Sequence, residues 1–124
     1  MKWYVASIIV SYRLTVKKQE LFPIDELFTL FYAKNREEAW KKAIKKGKEY
    51  NHYDESLRIN GDSAYAKYEG IRKVIEIIDD EFELKIPIDG LEISSSYMEL
   101  TSVKDIEKLA KGKAVIINYI DMDE

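Results

Sequence analysis

The chain has 124 residues, a formal net charge of -3 and no cysteine. Its length suffices for one domain with a hydrophobic core, and a composition of 46% hydrophobic and 35% charged residues excludes a disordered chain. The missing thiols exclude disulfide scaffolds, thiol nucleophiles and thiolate metal sites, and the acidic balance argues against a dedicated nucleic-acid binder, which carries a basic footprint.

The first predicted strand runs from Trp3 to Leu14. Its even positions, Tyr4, Ala6, Ile8, Val10, Tyr12 and Leu14, are continuously apolar or aromatic. Its odd positions, Trp3, Val5 and Ile9, are apolar but interrupted by Ser7 and Ser11. Alternate side chains of a strand point to opposite faces, so both faces of this one carry apolar bulk. A polar turn at Val16 to Glu20 and a connection around Pro23 follow, then a second strand from Asp25 to Ala33. Leu27, Phe31 and Ala33 share one of its faces, and Phe28, Leu30 and Tyr32 the other.

Asn35 begins the clearest helix. It is a capping residue with Glu38 three positions on, and Ala39, Trp40, Ala43, Ile44 and Gly47 form one apolar stripe. That stripe predicts Trp40 as a buried anchor. Asn51 to Asp62 reads as a polar connection ending in an Asn60-Gly61-Asp62 turn. Ser63 to Ile78 reads as a strand that changes phase at Gly70, which predicts a glycine bulge. The acidic stretch from Asp79 to Glu81 marks a turn, and Pro87 and Asp89-Gly90 another. Leu91 to Leu100 is the next strand. Ser102 caps a short helix with Val103, Ile106, Leu109 and Ala110 inward, which Gly112 stops. Ala114 to Ile120 is the last strand, and Asp121 to Glu124 an acidic tail. The order is strand, strand, helix, strand, strand, helix, strand. The expected fold is α+β: a single domain over residues 1–124, with one mainly antiparallel sheet of about five strands and both helices on one face.

The ordered set Trp3-Tyr4-Val5-Ala6, Asn35 to Ala43, Gly70-Ile71 and Asp89-Gly90-Leu91-Glu92-Ile93 resembles a small bacterial family known only as a domain of unknown function. The resemblance covers roughly Trp3 to Ile93. It implies a single bacterial cytoplasmic domain and brings no activity, cofactor or catalytic residue with it.

No phosphate loop, nucleophile elbow or histidine-based triad is present in the sequence. His52 is the only histidine, so no metal site and no cofactor are expected. The lysines from Lys41 to Lys48 read as a solvated helix face diluted by Glu37, Glu38 and Glu49. Ser94, Ser95 and Ser96 have no base nearby in sequence. Among the carboxylates Asp79, Asp80, Glu81, Glu83, Asp89 and Glu92, the weak catalytic candidates are Glu92, between Leu91 and Ile93, and Asp89. No run reaches the length of a membrane span and the start lacks a cleavable leader pattern, so the expected location is cytoplasmic, away from membranes.

The second face of the first two strands, Trp3, Val5, Ile9, Phe28, Leu30 and Tyr32, is the candidate interface, because two short helices on one face would leave it uncovered. Nine tyrosines add to that reading. The leading expectation is a non-enzymatic protein-interaction module, homodimeric or of the immunity type that masks a toxin. The alternative is a small enzyme or ligand-binding domain with a pocket between the sheet and the first helix, using carboxylates near Glu92.

Overall fold

The structure, a computed structural model, describes residues 1–16, 18–77 and 89–120. Among these lie six strands, β1 (Lys2–Leu14), β2 (Phe22–Ala33), β3 (His52–Ile59), β4 (Asp62–Glu76), β5 (Glu92–Leu100) and β6 (Asn118–Ile120), and two helices, α1 (Arg36–Lys48) and α2 (Val103–Ala110). They form an α+β fold with one antiparallel sheet in the order β3-β4-β1-β2-β5-β6. The expected turns and tail at 79–88 and 121–124 lie outside the described residues.

The two helices lie on opposite faces, which corrects the expectation that both share one. The even positions Tyr4, Ala6, Ile8 and Val10 of β1 form a core with Ala39 and Ala43 of α1 and with Leu27, Phe31, Ile71 and Val74. The odd position Ile9 joins a second core with Phe22, Ile24, Met98, Leu100 and Ile106, Leu109 and Ala110 of α2. A strand between two neighbours, covered above and below, needs apolar side chains on both faces. The two-faced pattern of β1 therefore marks the centre of a three-layer arrangement.

Both helices start at their expected caps. The Glu38 N–H donates to Asn35 Oδ1 at 2.9 Å, and the Asp105 N–H to Ser102 Oγ at 3.1 Å. Trp40 does not anchor α1: its indole is 38% exposed, and the buried stripe is Ala39, Ala43 and Gly47. Small residues let the helix backbone come close to the sheet, so the large ring is displaced to the flank.

The sixth strand is β3, where a polar connection was expected. It is an edge strand, paired through backbone bonds to β4 alone, and so shows no apolar alternation. Asn60 and Gly61, both at positive φ, make the turn into β4. Among the described residues, pairing in the last strand runs over Asn118–Ile120, and Ile116 ahead of it is exposed. The sheet is curled: the β3–β4 turn and β5, far apart in strand order, line the same cavity. The concave face carries α1 and the convex face α2.

Candidate functional site

The phase change at Gly70 is a double bulge. Ser7 pairs with Lys73 and Ile8 with Ile71, which leaves Arg72 extra; Ile9 pairs with Gly70 and Val10 with Tyr68, which leaves Glu69 extra. Both extra residues send charge across the convex face. Arg72 Nη1 donates to Glu26 Oε2 at 2.8 Å, and the same carboxylate oxygen accepts from Ser7 Oγ at 2.5 Å. Glu69 Oε2 accepts from Ser11 Oγ at 2.5 Å and from Arg13 Nε and Nη2 at 3.0 and 2.6 Å. Ser7, Ser11 and Glu26 are buried. The serines that interrupt β1 are thus the hydroxyl partners of two buried carboxylates, flanking Ile9 on either side.

Beyond the Ser7–Glu26–Arg72 group, α2 no longer covers the convex face, and an apolar end remains. Of the six predicted interface residues, Ile9 is fully buried in the α2 core and Leu30 is buried as well, so neither is available at the surface. Trp3, Val5 and Phe28 are half-buried and Tyr32 is exposed. The rings of Trp3 and Tyr32 lie 4.8 Å apart, centroid to centroid, on paired positions. Val5 pairs with Leu30 on one side and with Ile75 on the other, and the Leu30 N–H donates to the Leu91 carbonyl. Ile75 and Leu91 are exposed. Ion pairs rim this patch: Lys2 with Glu76 at 2.9 Å, and Lys42 with Asp89 at 2.8 Å. Residues 51–62, expected as a polar connection, run along the sheet edge as β3 and the turn into β4.

Asp89 has a structural post. Its Oδ1 accepts from the Tyr32 N–H at 2.9 Å and its Oδ2 from Lys42 Nζ, tying the end of β2 to α1. Glu92 is exposed on β5, opposite Thr29. Close packing of Ala39, Ala43 and Gly47 fills the middle of the space between sheet and helix, while a shallow cavity of about 350 Å³ remains at its edge, lined by Phe31, Lys42, Lys45, Lys46, Glu49, Asp89 and Gly90 and without Glu92. The polar groups of the concave face lie past the C-terminal end of α1, where Tyr12 Oη donates to Asp25 Oδ2 at 2.5 Å and Asp25 pairs in register with Tyr97. Burial, reinforced by the bond to Asp25, raises the Tyr12 phenol well above the ordinary tyrosine value. Burial also raises Tyr97, with Glu99 and Asp25 adding to it, and Tyr50, with Glu92 and Glu49 adding to it. Asp79, Asp80, Glu81 and Glu83 lie outside the described residues. Among the described residues no three histidine or carboxylate side chains gather to hold a metal ion, and no helix is long and apolar enough to cross a membrane.

A family model described as a domain of unknown function, DUF4288, matches residues 3–95. The chain belongs to the DUF4288 family. The match takes in β1 through the first part of β5, including the apolar end and both bulges, whereas α2 and β6 follow it. The DUF4288 region thus supplies one wall of the second core, Ile9, Phe22 and Ile24, and the residues after it supply Met98, Leu100 and the helix that closes it. No match was found among curated proteins or solved structures.

Proposed function

We propose that this DUF4288 chain is a non-enzymatic protein-interaction module that pairs with a second copy of itself through the apolar end of its convex face. The observation that supports this reading is the contiguity of Trp3, Val5, Tyr32, Ile75 and Leu91 outside the reach of α2. Tryptophan and tyrosine are the residue types that concentrate binding energy at interfaces. A two-fold axis lets one patch satisfy itself, and the rim suits it: Lys2 and Glu76, or Lys42 and Asp89, offer both signs to the same residues of a partner.

The test is sedimentation equilibrium across the micromolar range. The wild type is expected to form a concentration-dependent dimer, and Tyr32→Glu combined with Ile75→Glu to leave a folded monomer by circular dichroism. A wild type that stays monomeric throughout overturns self-association. An interaction with a different protein that the same double variant abolishes would transfer the surface to a hetero-partner, as in an immunity protein.

A further inference from the structure

Residues 34–48 hold seven cations and two carboxylates in a chain whose net charge is -3. Most of that charge lies on α1, where it borders an apolar recess. Helical spacing places Arg36, Trp40, Ile44 and Lys48, each four residues from the next, in one row along the flank of the helix. A shallow cavity of about 480 Å³ lies against this row, lined by Arg36, Glu37, Trp40, Lys41 and Ile44. Its surface is almost wholly apolar, so the charged residues give it their aliphatic stems and hold their heads at the rim. At its centre are the exposed Trp40 indole and Ile44, which packs against the α1 core.

Glu37 pairs with Lys41, Lys42 with Asp89 and Lys46 with Glu49. Arg36 and Lys48, at the two ends of the row, are exposed and have no ion pair among the described residues. The row therefore reads cation, aromatic, aliphatic, cation. A partner that fits it carries the complementary order, carboxylate, apolar, apolar, carboxylate, at the same one-turn spacing. A helix supplies that spacing by itself, and ridge-into-groove packing seats it against α1. A bilayer is a poorer fit: the continuous stripe of α1, Ala39, Ala43 and Gly47, already faces the sheet, and the negative chain as a whole is repelled by an anionic surface. A nucleic acid would answer the cations and leave the apolar recess unfilled.

We propose that this flank of α1 docks an acidic amphipathic helix of a partner protein, with two aliphatic side chains over Trp40 and Ile44 and carboxylates meeting Arg36 and Lys48. Tryptophan and arginine are among the residue types that dominate binding energy at such surfaces. The row shares no residue with the apolar end of the convex face, so this proposal and self-pairing stand or fall separately.

The experiment titrates the Trp3→Phe chain with a synthetic helix and follows Trp40 emission. The probe is an alanine-based peptide with two leucines one turn apart and a glutamate one turn beyond each. Its controls replace the glutamates by lysine or the leucines by alanine, and phosphatidylglycerol vesicles form a separate arm. A saturable blue shift is expected with the probe, with affinity about tenfold lower for either control peptide and reduced by added salt. Arg36→Gln combined with Lys48→Gln is expected to weaken binding about tenfold, whereas Lys46→Gln on the opposite flank leaves it unchanged. Tyr32→Glu with Ile75→Glu should leave the affinity for the probe intact, which separates failure here from failure of the dimer. Absence of a saturable shift with the probe, equal binding of either control peptide, or an affinity indifferent to the Arg36 and Lys48 substitutions overturns the proposal. A shift produced by the vesicles and not by the probe overturns it as well and assigns the row to a membrane surface.

Discussion

The backbone of Gly47 lies against the ring of Tyr68: a Cβ on Gly47 would sit 2.4 Å from Tyr68 Cε1 and 2.6 Å from Cδ1. Alanine is the better helix former by about 1 kcal/mol, but overpacking a close contact costs about 1–3 kcal/mol. Gly47→Ala is therefore expected to destabilise the protein, and Gly47→Ala in a Tyr68→Leu background to recover part of the loss. Urea denaturation of the four proteins checks this; a stabilised single variant would show that the ring swings aside freely.

Trp40 flanks α1 rather than anchoring it. Trp40→Ala should cost about 1–2 kcal/mol, below the roughly 3–5 kcal/mol of a fully buried aromatic. Chemical denaturation measures the loss, and indole fluorescence read in a Trp3→Phe background should report a solvent-accessible ring.

The Glu26–Arg72 pair joins a buried carboxylate to a half-exposed guanidinium. Arg72→Met leaves Glu26 with Ser7 as its partner among the described residues and is expected to cost about 2–4 kcal/mol, somewhat below the roughly 3–5 kcal/mol of a fully buried ion pair because the guanidinium is half-exposed. Adding Glu26→Gln removes the uncompensated charge and should restore part of that. By contrast, Lys2→Met at the exposed pair with Glu76 should change stability by less than about 1 kcal/mol. A double-mutant cycle with no coupling between positions 26 and 72 would contradict the ion pair.

Thr29 Oγ1 is buried and has no hydrogen-bond partner among the described residues. Thr29→Val keeps the shape and removes the hydroxyl, so it should be neutral or stabilising by up to about 1 kcal/mol. A clear loss of stability would reveal a partner for that hydroxyl.

Tyr12, Tyr50, Tyr68 and Tyr97 are all shifted up from the ordinary value of 10.0, chiefly by burial. The folded state then holds phenolic protons that the unfolded state releases. Their stabilising contribution is intact below pH 10.0 and declines as pH rises above it toward the folded values. Unfolding free energy should fall steadily above that point, and Tyr12→Phe should make the fall shallower. Phenolate absorbance should show these tyrosines ionising late.

The chain's own pattern determined much of this architecture. The two apolar faces of residues 3–14 mark a central strand, Asn35 and Ser102 stand as helix caps, and the phase break at Gly70 marks a bulge. Each of these is a local periodicity or a local hydrogen bond, legible wherever it occurs. Tertiary structure alone decided which helix covers which face, because an apolar stripe records that it is buried and not against what. It decided that Trp40 yields the contact to Ala39, Ala43 and Gly47, since only backbone proximity distinguishes a close stripe from a bulky one. Strand β3 escaped because edge pairing uses main-chain groups common to every sequence. The bulges bring Glu69 to Ser11 and Arg72 to Glu26 across long sequence separations, and the β3–β4 turn and β5 line one cavity only because the sheet curls. Such meetings depend on register and curvature, which arise from the assembled sheet and leave no local signature in any one segment.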